Sequence, residues 1–323
     1  MKQWQCHKGS ILDSIGSFDV IECGPCGFKH IVPIPTPKEL EQIYRDEYYS
    51  REKPLYLAEH GEDLEWWNVV YDERYDMFES FVPSGGRRIL DVGSGPGFFL
   101  KRGKERGWET VGIEPSRQAA SHSRGLGLNI IEGFLEESLA DSLGFFTVIH
   151  MHEVLEHIPQ PEQLIQLAYR LLEPGGMLCV IVPNDYNPLQ QLLRNHLEFN
   201  PWWVTPPHHI NYFDHDSLSK LIESVGFQVM RKTSTFPLEM FLLMGCNYVG
   251  NAKVGRAVHG QRKQMEVNLM KAGCGLLKQN TYDAFAKEGI GREVVLYARC
   301  GVTSHEGWEV HRSKDLCGEK FTS

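Results

Sequence analysis

Arg88-Ile-Leu-Asp-Val-Gly-Ser-Gly-Pro-Gly-Phe-Phe-Leu100 carries an apolar run into an acid, Asp91, and then into a loop with glycines at 93, 95 and 97. Glycine has no Cβ and tolerates positive φ, so such a loop turns sharply and lets a nucleotide-like ligand touch the backbone, while the next helix presents its free N–H groups. A plain strand-to-helix turn fits the same pattern, and its context has to decide. Downstream, Thr110-Val-Gly-Ile113 reads as a second strand ending in Glu114, and an acid there is placed to accept hydrogen bonds from two ribose hydroxyls. The pair of features predicts a site for an adenosine-containing cofactor; the bland alternative leaves Asp91 and Glu114 as ordinary loop acids.

Around this segment, strands and helices alternate. Strands are expected at 88–92, 110–113, 128–131, 146–150 and 177–182, with helices from 97, from 116 and over 161–172, and this alternation implies a parallel α/β sheet. In the third helix Leu164, Leu167, Ala168 and Leu171 form one stripe, and Pro174-Gly-Gly stops it. Upstream, Trp67, Val70, Tyr71, Tyr75 and Phe78 recur near helical spacing between Leu64 and Phe81, so a helix should cover the sheet. Residues 183–213 break the rhythm as a loop rich in aromatics and proline. A helix over Leu218–Val225, a strand over Gln228–Lys232, an insertion over about 236–290 and a strand over Arg292–Arg299 complete the pattern.

A dinucleotide site usually carries GxGxxG, whereas the interval here is GxGxG after an acid. That form resembles motif I of the class I S-adenosylmethionine (SAM) dependent methyltransferases. In order after it, Thr147-Val-Ile-His-Met-His-Glu-Val-Leu-Glu-His-Ile158 resembles the family's fourth strand and turn, and Glu173-Pro-Gly-Gly-Met-Leu-Cys-Val-Ile-Val-Pro183 the turn into its fifth. The ubiquinone-pathway O-methyltransferases and the methyltransferases of nucleotide-sugar and polysaccharide pathways are the similar types. The resemblance covers residues 85–300 and implies a Rossmann-like, doubly wound, mostly parallel seven-stranded sheet with an antiparallel last strand. It also implies SAM as cofactor, with Gly93, Ser94, Gly95 and Gly97 approaching it through the backbone, Asp91 positioning its methionine portion and Glu114 its ribose. Phe134, in Gly133-Phe-Leu-Glu136, should flank the adenine, although this segment lacks the family's usual Asp; His152 and Glu153 should lie near the sulfonium or the acceptor.

Methyl transfer from a sulfonium is an in-line displacement, so the protein must align donor and acceptor, exclude water and take a proton from the acceptor. Pro207-His208-His209-Ile-Asn-Tyr212 is the best source of a base, because imidazole titrates near neutral pH and this loop should face the acceptor. His208 or His209 is expected to act chemically, with Tyr212 shaping the site and His152 close by; either histidine could instead be structural. Trp202 and Trp203 fit an acceptor pocket and burial against the insertion equally well. His152-Glu-Val-Leu-Glu-His157 superficially resembles a zinc-protease helix, but Glu156 occupies the second ligand position and His157 is one residue too far to share the face. Glu156 and His157 are instead expected to fix a helix start.

Ile11–Ile15 and Phe18–Glu22 read as strands of a small ribbon over residues 1–35, followed by Cys23-Gly-Pro-Cys26 and a proline-rich exit. Cys23, Cys26 and His30, with His7 or Cys6, supply a zinc-like donor set, and sugar methyltransferases of the resembling group often carry a zinc ribbon at this place; their usual first CxxC is missing here. Residues 36–84 form a helical lead-in that starts at Thr36-Pro-Lys-Glu39 and runs from Pro37 to about Asp46, and residues 301–323 form a polar tail expected to be mobile. The eight cysteines are too scattered for a disulfide framework. A net charge of −9 disfavours nucleic acid as a partner, and no apolar run approaches the ~20 residues that span a bilayer. The expectation is a cytoplasmic enzyme, compatible with a homo-oligomer, acting on a small-molecule acceptor: a nucleotide-linked sugar or polysaccharide precursor ahead of a quinone-like phenol. An NAD-dependent oxidoreductase and an inactive SAM-fold scaffold are the competing readings.

Overall fold

A computed structural model describes residues 7–36, 39–40, 60–82 and 85–301. Thr36 and Glu39 make the expected helix-start contacts, Thr36 donating its N–H to the Glu39 carboxylate at 2.8 Å. Most of the helix expected from Pro37, together with Cys6 and the tail beyond Gly301, lies outside the described residues.

Seven strands form the main sheet: β4 (Arg88–Val92), β5 (Glu109–Glu114), β6 (Asn129–Glu132), β7 (Phe146–His152), β8 (Leu172–Pro183), β10 (Gln228–Ser234) and β11 (Glu293–Arg299), in the order β10-β11-β8-β7-β4-β5-β6. β6, β5, β4, β7 and β8 run parallel, while β11 lies antiparallel to both β8 and β10. β8 begins at Leu172, five residues earlier than expected, and its register shifts across the Pro174-Gly-Gly turn. The strands read as apolar runs because both faces are covered. With a period of two, Ile89, Val148, Cys179 and Ile181 face a core with Tyr75, Phe78 and Phe99, while Leu90, Ile149, Met151 and Val180 face the opposite core with Leu164, Ile165 and Leu218. The first layer comes from α1 (Leu64–Phe81) and α2 (Phe98–Glu105); the second from α4 (Glu137–Leu143), α5 (Pro161–Leu171) and α7 (His215–Ser224).

On leaving β4 the chain moves to β5 on one side and later returns as β7 on the other. That switch opens a crevice at the strands' carboxyl ends, where doubly wound sheets take ligands. α3 (Arg117–Gly125) follows β5, and its N-cap Ser116 side chain accepts from Ala119 N–H.

The ribbon has strands β1 (Gly9–Ile15), β2 (Phe18–Cys23) and a third not foreseen, β3 (Phe28–Val32). β3 pairs with β9 (Asn211–Tyr212), with Lys29 opposite Tyr212, so the ribbon shares a four-stranded sheet with the end of the loop that carries His208 and His209. Residues 183–213 are not loop throughout: Asn187 caps α6 (Pro188–Leu197) by accepting from Leu189 and Gln190 N–H. The insertion forms α8 (Glu239–Leu243), α9 (Ala252–Lys271) and α10 (Gly275–Lys287), with α9 against α1 and α10 against β10.

Candidate active site

A cavity of about 2230 Å³ opens at the crevice and is lined by Asp91, Gly93, Ser94, Gly95, Glu114, Phe134, His152 and Glu153 among others. Its size exceeds the ~300–1,000 Å³ that one small ligand occupies, leaving space for a donor and an acceptor together. A second cavity of about 440 Å³ adjoins it, and both are bordered by Glu153, His157, His259, Arg292 and Glu293.

The glycine loop is held by its own strand pair: Gly93 and Ser94 donate N–H groups to the Ile113 carbonyl at 2.8 and 3.0 Å. Gly93, Gly95 and Gly97 all have positive φ. At Gly97 (φ 84°), a Cβ would also lie 2.6 Å from Ser123 Oγ and 2.7 Å from Leu128 Cδ1, so glycine is required both by conformation and by space. Gly97 lines neither cavity and serves the close packing of the loop on α3.

Glu114 is buried and grips the loop, accepting Gly95 N–H at 2.7 Å through Oε2 and Ser116 N–H at 2.8 Å through Oε1. Each oxygen retains a lone pair for a ligand hydroxyl. Burial pushes its carboxyl up to about 7, against the pull of the two backbone donors. Asp91 is also buried and bonds the His150 imidazole through Oδ1 at 2.7 Å. Burial, against the pull of Asp91, pushes His150 down to about 4 and keeps it neutral; among the described residues its Nε2 has no partner. Asp91 thus works as one half of a buried pair, a role its sequence position did not disclose.

His152 ends β7, with Nε2 3.2 Å from Glu293 and Nδ1 3.4 Å from Arg74. Glu153 follows at φ 54°, left-handed backbone that costs a non-glycine residue about 1–3 kcal/mol and is typical of functional sites. Arg74 and Glu293 were missed because a lone charge in a helical stripe or at a strand start carries no pattern. Trp66, Trp67 and Tyr71 of α1 and Phe98 form an aromatic wall of the larger cavity.

His208 and His209 line the smaller cavity with Trp202, Trp203, Asp185 and Glu156. His209 Nδ1 lies 3.8 Å from Asp185 Oδ2, and its ring meets His157 edge-on at 5.1 Å. The backbone carbonyl of His208 pairs with His157 Nδ1 at 2.7 Å. Tyr212, expected to shape the site, lines neither cavity: it is 1% exposed, packed against Tyr186 in the ribbon core, because its residue lies on β9. Glu156 does not fix a helix start either. α5 begins only at Pro161, and the Glu156 carboxylate is buried beside the smaller cavity without a hydrogen bond from the described residues, where burial pushes it well up.

Among the described residues, His7, Cys23, Cys26 and His30 bring one donor atom each within 4.8 Å of one another. Two thiols and two imidazoles make a tetrahedral zinc donor set, and His30 Nε2 is a buried atom with no hydrogen-bond partner among the described residues, so the residues fit a structural ion. Burial pushes His30 down to about 4, keeping the neutral imidazole that ligates. Glu156, His157 and His209, and likewise His152, Glu153 and Glu293, also converge within that limit, inside the cavities themselves.

Residues 50–232 match the family model described as a methyltransferase domain. A ubiquinone biosynthesis O-methyltransferase of Actinobacillus pleuropneumoniae serotype 7 is 30% identical over 191 residues, covering 52% of this chain and 80% of that protein. One of Caulobacter sp. strain K31 is 29% identical over 134 residues, covering 40% of this chain and 53% of that protein, so the chain spans about half the length of this relative. A SAM dependent methyltransferase of known structure from Archaeoglobus fulgidus is 18% identical with a TM-score of 0.46, over 72% of this chain and 93% of that one. Among the described residues no helix is long and apolar enough to cross a membrane.

Proposed function

The chain belongs to the methyltransferase domain family, in its class I SAM-dependent form, and from that premise we propose that it transfers the methyl group of SAM to a small-molecule acceptor. The observation that carries this reading is the buried Glu114 carboxylate bound to the N–H of Gly95 at the rim of the crevice, an acid and a glycine turn arranged for an adenosine ribose. In this reading Gly93, Ser94 and Gly95 present backbone to the donor, and the Asp91–His150 pair with Arg74 receives its amino-acid end. Phe134 flanks the adenine. Gly97 supports the loop from behind.

The acceptor enters past the smaller cavity, and His209, whose Nδ1 faces the Asp185 carboxylate at 3.8 Å, removes its proton. His208 is the second candidate. The methyl group then passes in line from sulfonium to the deprotonated acceptor atom, with His152 and Glu153 holding the floor of the cleft between the cavities. Of the two acceptor classes, the first, a nucleotide-linked sugar or polysaccharide precursor, rests on the sequence reading alone, and the second, a quinone-like phenol, is the one the names of the relatives support. The ribbon carries zinc at His7, Cys23, Cys26 and His30 in this reading and braces the catalytic loop through the β3–β9 pairing. A cytoplasmic location and homo-oligomerisation remain compatible with it.

The test is transfer of isotopically labelled methyl from SAM to panels of nucleotide-linked sugars and of catechol-type phenols. Label in the sugar panel supports the first class and label in the phenol panel the second. SAM binding with no transfer to either would favour an inactive scaffold.

A further inference from the structure

We propose that Arg262 of α9 and Arg292 at the start of β11 form a receptor for a diphosphate group on the methyl acceptor. The word acceptor rests on the methyl-transfer reading above; the anion site itself does not. Arg262 is 4% exposed, lines the larger cavity, and lies 4.6 Å over the Trp66 ring. Among the described residues its buried Nε has no partner and its guanidinium forms neither a hydrogen bond nor an ion pair. Arg292 borders both cavities and likewise has no side-chain partner among the described residues.

The neighbouring carboxylates are already engaged. Glu266 accepts from Trp66 Nε1 at 2.7 Å and Tyr282 OH at 2.8 Å and stands 3.7 Å from Lys278; Glu293 pairs with His152 at 3.2 Å; Lys263 pairs with Asp63. A buried guanidinium without an acceptor is costly, and native proteins rarely keep such a group unless something else satisfies it. Close to both arginines, burial and the positive charge of Arg292, Arg262 and Lys263 push His259 down to about 3, so the imidazole adds no charge there.

Guanidinium forks match phosphate oxygens in pairs, and two of them balance the two charges of a diphosphate diester, whereas a single carboxylate would leave one arginine uncompensated. The position fits the acceptor. Arg292 precedes Glu293, which pairs with Pro183 at the end of β8, on the far side of β7 from the glycine loop after β4. Arg74, beside His152, is instead the arginine near Asp91 and His150.

Calorimetric titration of inorganic pyrophosphate into the full chain saturated with S-adenosylhomocysteine tests the site, with benzoate as the carboxylate comparison. Pyrophosphate should bind, benzoate should bind more weakly, and Arg292→Gln and Arg262→Met should each weaken pyrophosphate by about tenfold or more while leaving S-adenosylhomocysteine affinity within about twofold. Arg292 is exposed, so its substitution leaves a folded protein to measure even if Arg262→Met does not. No pyrophosphate binding, equal binding to Arg292→Gln, displacement of S-adenosylhomocysteine by pyrophosphate, or tighter binding of benzoate would each overturn the proposal. Failure of S-adenosylhomocysteine to bind would sink the methyl-transfer reading instead, and pyrophosphate titrated into the ligand-free protein would still decide the arginine pair.

Discussion

Glu114 Oε2 accepts the Gly95 N–H at 2.7 Å, so the acid assigned to the cofactor ribose is also the clamp on the loop that approaches the cofactor. The two roles are coupled: anything that weakens the carboxylate loosens the backbone it holds. Glu114→Ala should therefore weaken S-adenosylhomocysteine by roughly 1–3 kcal/mol through lost buried hydrogen bonds. Unchanged affinity would remove Glu114 from the site.

The same carboxyl predicts a pH dependence. Burial raises it to about 7 in the ligand-free fold, so its contribution to stability is complete below the ordinary carboxyl range and fades as pH rises through 7. Ribose hydroxyls donate to the ionised form, so binding should favour deprotonation. S-adenosylhomocysteine affinity should climb with pH by up to about tenfold per unit below 7 and level off above it, with proton release visible as a buffer-dependent heat. Glu114→Gln should flatten that profile; a wild-type profile already flat from pH 5.5 to 8 would contradict the assignment.

Much of this site could be read from the sequence, and the reasons are local. Asp91, the glycines and Glu114 sit at strand ends whose apolar runs declare themselves, so β4, β5 and β7 were placed to within two residues. What escaped depends on distant chain. β3 forms partly because residues 211–212 pair with it, Tyr212 is thereby drawn into the ribbon core, and Glu156 turns towards the smaller cavity although its spacing suggested a helix start. Arg262 and Arg292 line the same cavity only because the insertion packs its helix α9 against α1, and no motif records that.

At Gly97 the added methyl group of Gly97→Ala meets Ser123 and Leu128 at φ 84°. We expect a loss of about 1–3 kcal/mol in denaturant unfolding, and weaker donor binding as the loop shifts. A fully stable variant would show that the loop has room to adapt.

His209→Ala should lower turnover by about 10²–10⁴-fold at near-normal S-adenosylhomocysteine affinity. Asp185→Asn should cause a smaller loss, because the carboxylate acts on the imidazole only through its charge, from 3.8 Å away. If His208→Ala carries the larger loss, the base is His208; if neither histidine matters to turnover, it lies elsewhere.

For the ribbon, elemental analysis of purified protein should find about one zinc per chain, lost in Cys23→Ser/Cys26→Ser together with part of the thermal stability. Equal metal content in the double variant would exclude this donor set.

The most direct measurement is a calorimetric titration of the full chain with S-adenosylhomocysteine, run beside NADH under the same conditions. The account predicts one-to-one, micromolar-range binding of S-adenosylhomocysteine alone, weakened in Glu114→Ala. Binding of NADH alone, or of neither ligand, would contradict it.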